Sequence, residues 1–159
     1  MTARARSLAE TESLAAALAP HAAPGDVIGL CGALGSGKTA FARAFIRARL
    51  GRRSEEVPSP TFTLVQLYDD AAGAIWHFDL YRLGAPEDVY ELGIEDAFSG
   101  AISLIEWPEK LGSIMPGDWL QVHLAPGEGE EERLVTITPH GCRARALTEA
   151  LAEDLERDA

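Results

Sequence analysis

Eight residues constrain this chain more than any others: Gly32-Ala33-Leu34-Gly35-Ser36-Gly37-Lys38-Thr39. The pattern is a glycine, four residues, then Gly-Lys-Thr, the spacing of a phosphate-binding loop. Glycines let the backbone curl so that successive N–H groups point inward and form a nest for an anion. A lysine at Lys38 reaches the outer phosphates as a point charge, and a hydroxyl at Thr39 suits Mg²⁺. The flanks agree. Asp26 to Cys31 (DVIGLC) reads as a short buried strand, and Ala40 to Leu50 reads as a helix whose positive N-terminus faces the same anion. The residues expected to touch a bound nucleotide are Gly35, Ser36, Gly37, Lys38, Thr39 and Ala40.

A chain of 159 residues, 47% of them hydrophobic, suits a single domain over 1–159 with a real core. No apolar run approaches the roughly 20 residues that a membrane span needs. The basic start, Met1 to Arg6, leads into Ser7-Leu8-Ala9-Glu10-Thr11-Glu12, whose acids argue against a signal peptide. Cys31 and Cys142 lie far apart and make no metal spacing, which fits two reduced thiols in a cytoplasmic protein. The net charge of −11 is a poor start for gripping a nucleic-acid backbone unaided. Arg43, Arg47, Arg49, Arg52 and Arg53 nevertheless fall together with no acid among them. They read either as a solvated face or as a docking patch for an acidic partner or RNA.

The periodicity predicts a helix over 7–19, ended by Pro20 and Pro24. Gly51 is placed to end the helix after the loop. Strands are expected over 61–68 and 74–81, joined by the turn 69–73, and over 101–105, 119–124 and 134–138. Short helices are expected after Pro86, over 94–98 and after Pro108, with a last helix over 143–155. The acidic stretch 126–132 reads as a hairpin loop. Helix-linked and hairpin-linked strands together imply an α/β architecture, a three-layer P-loop NTPase-like fold around a mixed parallel and antiparallel sheet.

A phosphate loop alone says nucleotide and leaves the reaction open. Asp79 leaves the apolar strand Ile75 to Phe78, where a carboxylate is the usual acidic partner of the metal; a turn-capping Asp is the plainer reading. Glu106 follows Ile102 to Ile105 and could hold Mg²⁺ or orient an attacking water. Which of the two orients the water is open. Thr61, between Pro60 and a strand, could sense the outermost phosphate as a switch residue does. Trp107 either stacks on a base or fills core, and His77 reads as structural. No Asn-Lys-x-Asp motif supports guanine specificity, Asp70-Ala71-Ala72-Gly73 is a chance match in a turn, and no Arg-rich lid resembles a small-molecule kinase.

Four segments can be read together: Gly32 to Thr39, Ser59-Pro60-Thr61-Phe62-Thr63-Leu64-Val65, His77-Phe78-Asp79-Leu80-Tyr81-Arg82-Leu83 and Glu106-Trp107-Pro108. In order and spacing, over roughly residues 7 to 125, they resemble the TsaE (YjeE) family. That is the ATPase component of the bacterial machinery for threonylcarbamoyladenosine at tRNA position 37. The resemblance implies ATP and Mg²⁺ as cofactors and a TsaB–TsaD heterodimer as partner, with tRNA met through those partners and neither membrane nor DNA involved. It implies slow hydrolysis that turns the complex over. It maps the family's metal ligands onto Thr39 and Glu106, its strand-end aspartate onto Asp79, its switch-like threonine onto Thr61, its phosphate-facing lysine onto Lys38 and its N-terminal nucleotide-side threonine onto Thr11. One departure stands out: Ala33 replaces the aspartate usual in the family's loop, a carboxylate beside the outermost phosphate.

Overall fold

The computed structural model describes every residue except 52–55, 71–72 and 159. Seven strands form one sheet: β1 (Thr2–Ala5), β2 (Val27–Cys31), β3 (Val65–Asp70), β4 (Gly73–Asp79), β5 (Ala101–Glu106), β6 (Trp119–Pro126) and β7 (Arg133–His140). Their spatial order is β1-β7-β6-β2-β5-β4-β3. The central pairs β2·β5, β2·β6 and β4·β5 are parallel, and the flanking pairs β1·β7, β6·β7 and β3·β4 are antiparallel. This is the mixed sheet that the linkers imply.

Helices cover both faces. α1 (Leu8–Leu18), α2 (Lys38–Leu50) and α4 (Cys142–Arg157) bury one cluster with Ile28, Leu30, Ile75, Ile102, Leu104 and Val122. α3 (Ile94–Gly100) and the short 3-10 segments Pro86–Leu92 and Pro108–Ile114 bury a second cluster with Val27, Phe78 and Ile105. The period-2 alternation of a strand explains the split, with successive side chains going to opposite faces. In β5, Ile102 and Leu104 meet α2's side and Ile105 the other. The same alternation carries Glu106 to α2's face, and in β4 it carries His77 and Asp79 there with Ile75. Truncating a fully buried anchor such as Phe45 should cost about 3–5 kcal/mol.

Local chemistry sets the ends of these elements. Ser7 caps α1, its hydroxyl accepting from the Glu10 N–H at 3.2 Å. Gly51 ends α2 in the left-handed conformation (φ 67°), as expected. Asp26 closes the turn before β2 and pairs through both oxygens with Arg143 of α4, each contact 2.9 Å.

The structure departs from the sequence reading in three places. Four residues at the start pair with β7, Thr2↔Thr136 through Ala5↔Arg133. A strand that short, held by its partner, leaves no periodic signal. The strand expected over 61–68 begins only at Val65. Before it, the Leu64 N–H donates to Pro60 O at 2.7 Å and Leu64 takes φ 68°, so Thr61 to Leu64 turn instead of extending. The arginine cluster is not one solvated patch, because Arg43 donates to Val57 O (2.7 Å) and Arg49 to Ala19 O and Ala22 O (3.2 and 2.7 Å). Both brace main-chain carbonyls; Arg52 and Arg53 lie outside the described residues, as does the middle of the 69–73 turn.

Both cysteines are free. Burial, with Glu109 adding to it, pushes the Cys31 thiol up to about 11. At neutral pH it therefore stays protonated and a weak nucleophile. Iodoacetamide at pH 7.5 is expected to label the exposed Cys142 well before Cys31, as peptide mapping would show. Among the described residues, no helix is long and apolar enough to cross a membrane.

Candidate active site

β2, β4 and β5 run parallel, and their carboxyl ends open on one crevice, the usual ligand position in an α/β sheet. β2 ends at Cys31 and delivers the chain into the glycine-rich loop. Gly32 takes φ 143°, and a Cβ there would lie 2.5 Å from both Leu124 O and Ser36 Oγ. Only glycine fits that approach. Gly32→Ala is expected to lose about 2 kcal/mol or more of stability, since backbone strain and a clash with main chain act together. Urea denaturation would measure this; an unchanged midpoint would show that the loop can relax.

Gly37 (φ 107°) then starts α2, with Lys38 and Thr39 in its first turn. The Lys38 ammonium donates to Gly32 O (2.7 Å) and Ala33 O (2.8 Å) and sits 4.2 Å over the Trp107 ring. Burial pulls the Lys38 pKa below the ordinary lysine value, while Glu106 and Asp79 oppose that shift.

Asp79 and Glu106 are directly paired residues at the ends of β4 and β5. Both are nearly buried, 5% and 2% exposed. The Thr39 hydroxyl donates to Glu106 Oε1 at 2.7 Å. The other oxygen, Oε2, lies 2.7 Å from Nε2 of the fully buried His77. Asp79 Oδ1 accepts from the Tyr81 N–H (3.1 Å), and Oδ2 accepts from the Thr61 hydroxyl (3.2 Å), which in turn lies 2.7 Å from Ser59 Oγ. An open cleft of about 280 Å³ runs between these groups, lined by the glycine-rich loop and by Thr61, Tyr81 and Trp107.

The Thr39 hydroxyl and the Glu106 carboxylate, touching at the cleft, form an all-oxygen donor pair. That suits a hard divalent cation such as Mg²⁺, which keeps several waters and takes few protein ligands. No group of three or more His, Cys, Asp or Glu among the described residues makes a self-sufficient metal cage. The pair fits a metal that arrives with a phosphate chain.

The family model for the threonylcarbamoyl adenosine biosynthesis protein TsaE matches residues 5–135. The chain belongs to the TsaE family. Relatives agree across most of its length. The tRNA threonylcarbamoyladenosine biosynthesis protein TsaE of Rickettsia bellii is 41% identical over 129 residues, 81% of this chain and 88% of that one. The protein of the same name from Bacillus subtilis is 36% identical over 144 residues, 90% of this chain and 88% of that one. The crystal structure of Bacillus subtilis YdiB superposes with a TM-score of 0.81 at 31% identity, covering 97% of this chain and 95% of that one.

Set beside this TsaE fold, most of the residues singled out in the sequence meet. Gly35, Gly37, Lys38, Thr39, Ala40, Thr61, Asp79 and Glu106 all line the cleft. Thr11 and Ser36 do not. Thr11 is buried in α1 and its hydroxyl donates to Ser7 O at 3.4 Å, closing the helix's own first turn. Ser36 is buried within the loop, its N–H donating to Ala33 O at 3.1 Å and its hydroxyl 3.5 Å from the Lys38 ammonium. Arg82, the arginine nearest in sequence to Asp79, is not part of the cleft wall; its guanidinium lies 4.7 Å over the Phe62 ring.

Sequence reasoning undervalued His77, which fixes the carboxylate of Glu106. Its signal was present in the strand period, which puts residues 77 and 79 on one face. Trp107 follows the core reading, packing against the second core cluster, and its ring face lies under the Lys38 ammonium. Tyr81, whose ring lies 5.0 Å from that of Trp107, gave no sequence signal.

Proposed function

We propose that this chain binds ATP and hydrolyses it slowly as a subunit of tRNA threonylcarbamoyladenosine formation, acting with a TsaB–TsaD pair in the cytoplasm. One observation carries the reading: the Thr39 hydroxyl and the Glu106 carboxylate meet at 2.7 Å within the cleft that Lys38 and Asp79 also line. Phosphoryl transfer to water needs positioning and charge neutralisation more than covalent chemistry, and this set supplies both. The loop amides and Lys38 would take the charge of the phosphate chain. Thr39 and Glu106 would hold Mg²⁺, which when bound neutralises charge on the phosphoryl oxygens. Asp79, steadied by the Tyr81 N–H, would orient water near the outermost phosphate. His77 keeps the Glu106 carboxylate turned toward Thr39. Among the described residues no arginine lines the cleft, so the isolated chain should be slow and its partners should accelerate it. The net charge of −11 favours tRNA being held by those partners.

Phosphate release from ATP, measured for the chain alone and with the TsaB–TsaD pair, tests the reading. Stimulation by the pair is expected; equal turnover in both samples would defeat partner dependence. The same assay on Ala33→Asp addresses the loop's missing carboxylate. Faster release is expected, because an acid beside the outermost phosphate can align water. Looser ATP binding should accompany it, because that acid also repels the phosphate.

A second reading is a nucleotide-gated binding module, and the turn before β3 favours it. Thr61 is tied to the site by one 3.2 Å bond, and the neighbouring Phe62 is 82% exposed. Ordering of that turn by ATP would present Phe62 to a partner. Thr61→Ala should then keep ATP affinity within about twofold while weakening capture of the TsaB–TsaD pair about tenfold. Pull-down beside calorimetric titration separates the two effects.

A further inference from the structure

We propose that Arg133 is a positioning residue for the phosphate-binding loop: from β7 it holds two loop carbonyls away from the cleft, so that the Gly37 amide faces the phosphate chain. The proposal rests on the ATP-binding reading above and adds a residue that no motif contains. Arg133 Nε donates to Ser36 O at 2.7 Å and Nη2 to Gly35 O at 3.3 Å. Nη1 donates to Glu130 O and Glu132 O at 2.9 and 2.8 Å, so the guanidinium joins the phosphate loop to the 126–132 hairpin. Its Cα is locked by the sheet, opposite Ala5 on one side and Pro126 on the other. Four of the five N–H donors of a planar fork are thus directed at main-chain carbonyls, a pattern a lysine cannot reproduce.

The physical need follows from the glycines. In a trans peptide the C=O and the next N–H point in opposite directions. Holding Ser36 O toward Arg133 therefore turns the Gly37 N–H the other way, and Gly37 lines the cleft. Gly35 takes φ 78° and has nothing within 4 Å of where a Cβ would stand. The freedom that lets the loop curl also lets a peptide flip and present a carbonyl to an anion. Arg133 opposes that flip from outside the loop, and it adds a positive charge on the same side.

Calorimetric titration with Mg·ATP tests this on the full chain and on Arg133→Ala, Arg133→Lys, Lys38→Ala and Arg4→Ala, each also followed by thermal melting. Arg4 pairs with Glu132 on the same hairpin without touching the loop, and serves as the structural control. Arg133→Ala is expected to bind ATP about tenfold more weakly. Arg133→Lys should recover only part of the loss, and Arg4→Ala should stay within about twofold of the natural chain. In steady state the Arg133→Ala loss should appear in KM with kcat little changed, and millimolar guanidinium should partly restore binding to Arg133→Ala alone. If the natural chain binds ATP, Lys38→Ala does not, and Arg133→Ala binds like the natural chain, the proposal is overturned while the ATP-binding reading survives. It is equally overturned if Arg133→Lys binds like the natural chain, or if Arg4→Ala weakens ATP as much as Arg133→Ala. A natural chain that fails to bind ATP removes both readings at once.

Discussion

Lys38→Ala should weaken ATP binding about 100-fold or more while leaving the fold in place. Lys38 is 5% exposed, and its ammonium donates to Gly32 O and Ala33 O at the mouth of the loop. Those acceptors stand in for the oxygens of a phosphate chain, which would draw the ammonium away from them. Each charge-assisted hydrogen bond contributes about 1.5–3 kcal/mol, so losing contacts to two phosphates reaches the expected factor. The folding penalty should be modest, because Ala33 is exposed and Gly32 only half-buried, so the freed carbonyls can take water. Calorimetric titration beside a thermal melt separates the effects. An unchanged affinity in a folded variant would mean that the loop is not the site.

Glu106→Gln is expected to slow phosphate release about 100-fold or more and to blunt the Mg²⁺ dependence of ATP affinity. Glutamine is the informative choice because of what surrounds the carboxylate. Glu106 is 2% exposed, accepts from Thr39 and lies against the buried His77. Alanine would leave both neighbours unpartnered at about 1–3 kcal/mol each, and lost activity would then be hard to tell from lost structure. Glutamine keeps the shape and an acceptor for Thr39 while removing the charge. Single-turnover release and urea unfolding should be run together. Full activity in Glu106→Gln would move the metal-holding role to Asp79.

The sequence announced the parts of this site that are local and withheld those that depend on meeting. The strand, glycine-rich loop and helix were legible because the spacing, the glycines and the flanks lie within one short stretch. Asp79 and Glu106 were legible as strand ends, though their direct pairing depends on the β4·β5 register, which no single segment encodes. The Thr61 turn was misread as strand because Thr-Phe-Thr-Leu alternates; the positive φ of Leu64 and the Pro60–Leu64 bond have no compositional signature. Arg133 stayed invisible because its partners are main-chain carbonyls nearly a hundred positions away. Thr11 was assigned to the nucleotide through resemblance, and the structure puts its hydroxyl in the helix's own first turn. β1 escaped notice because its order comes from β7.

The register that joins Asp79 to Glu106 divides the cleft into two kinds of wall. Neighbouring strands stand about 4.8 Å apart, and a slip of one residue would send either carboxylate to the opposite face. That wall is therefore fixed as firmly as the core beneath it. The turn before β3 meets that wall at Asp79 alone among the hydrogen bonds described, through the Thr61 hydroxyl and through the Asp79 N–H to Leu64 O at 3.0 Å. Substitutions between residues 59 and 64 should change how long the site stays closed without altering its chemistry. Substitutions at the strand ends should do the reverse, so the timing and the reaction can be tuned separately in one small sheet.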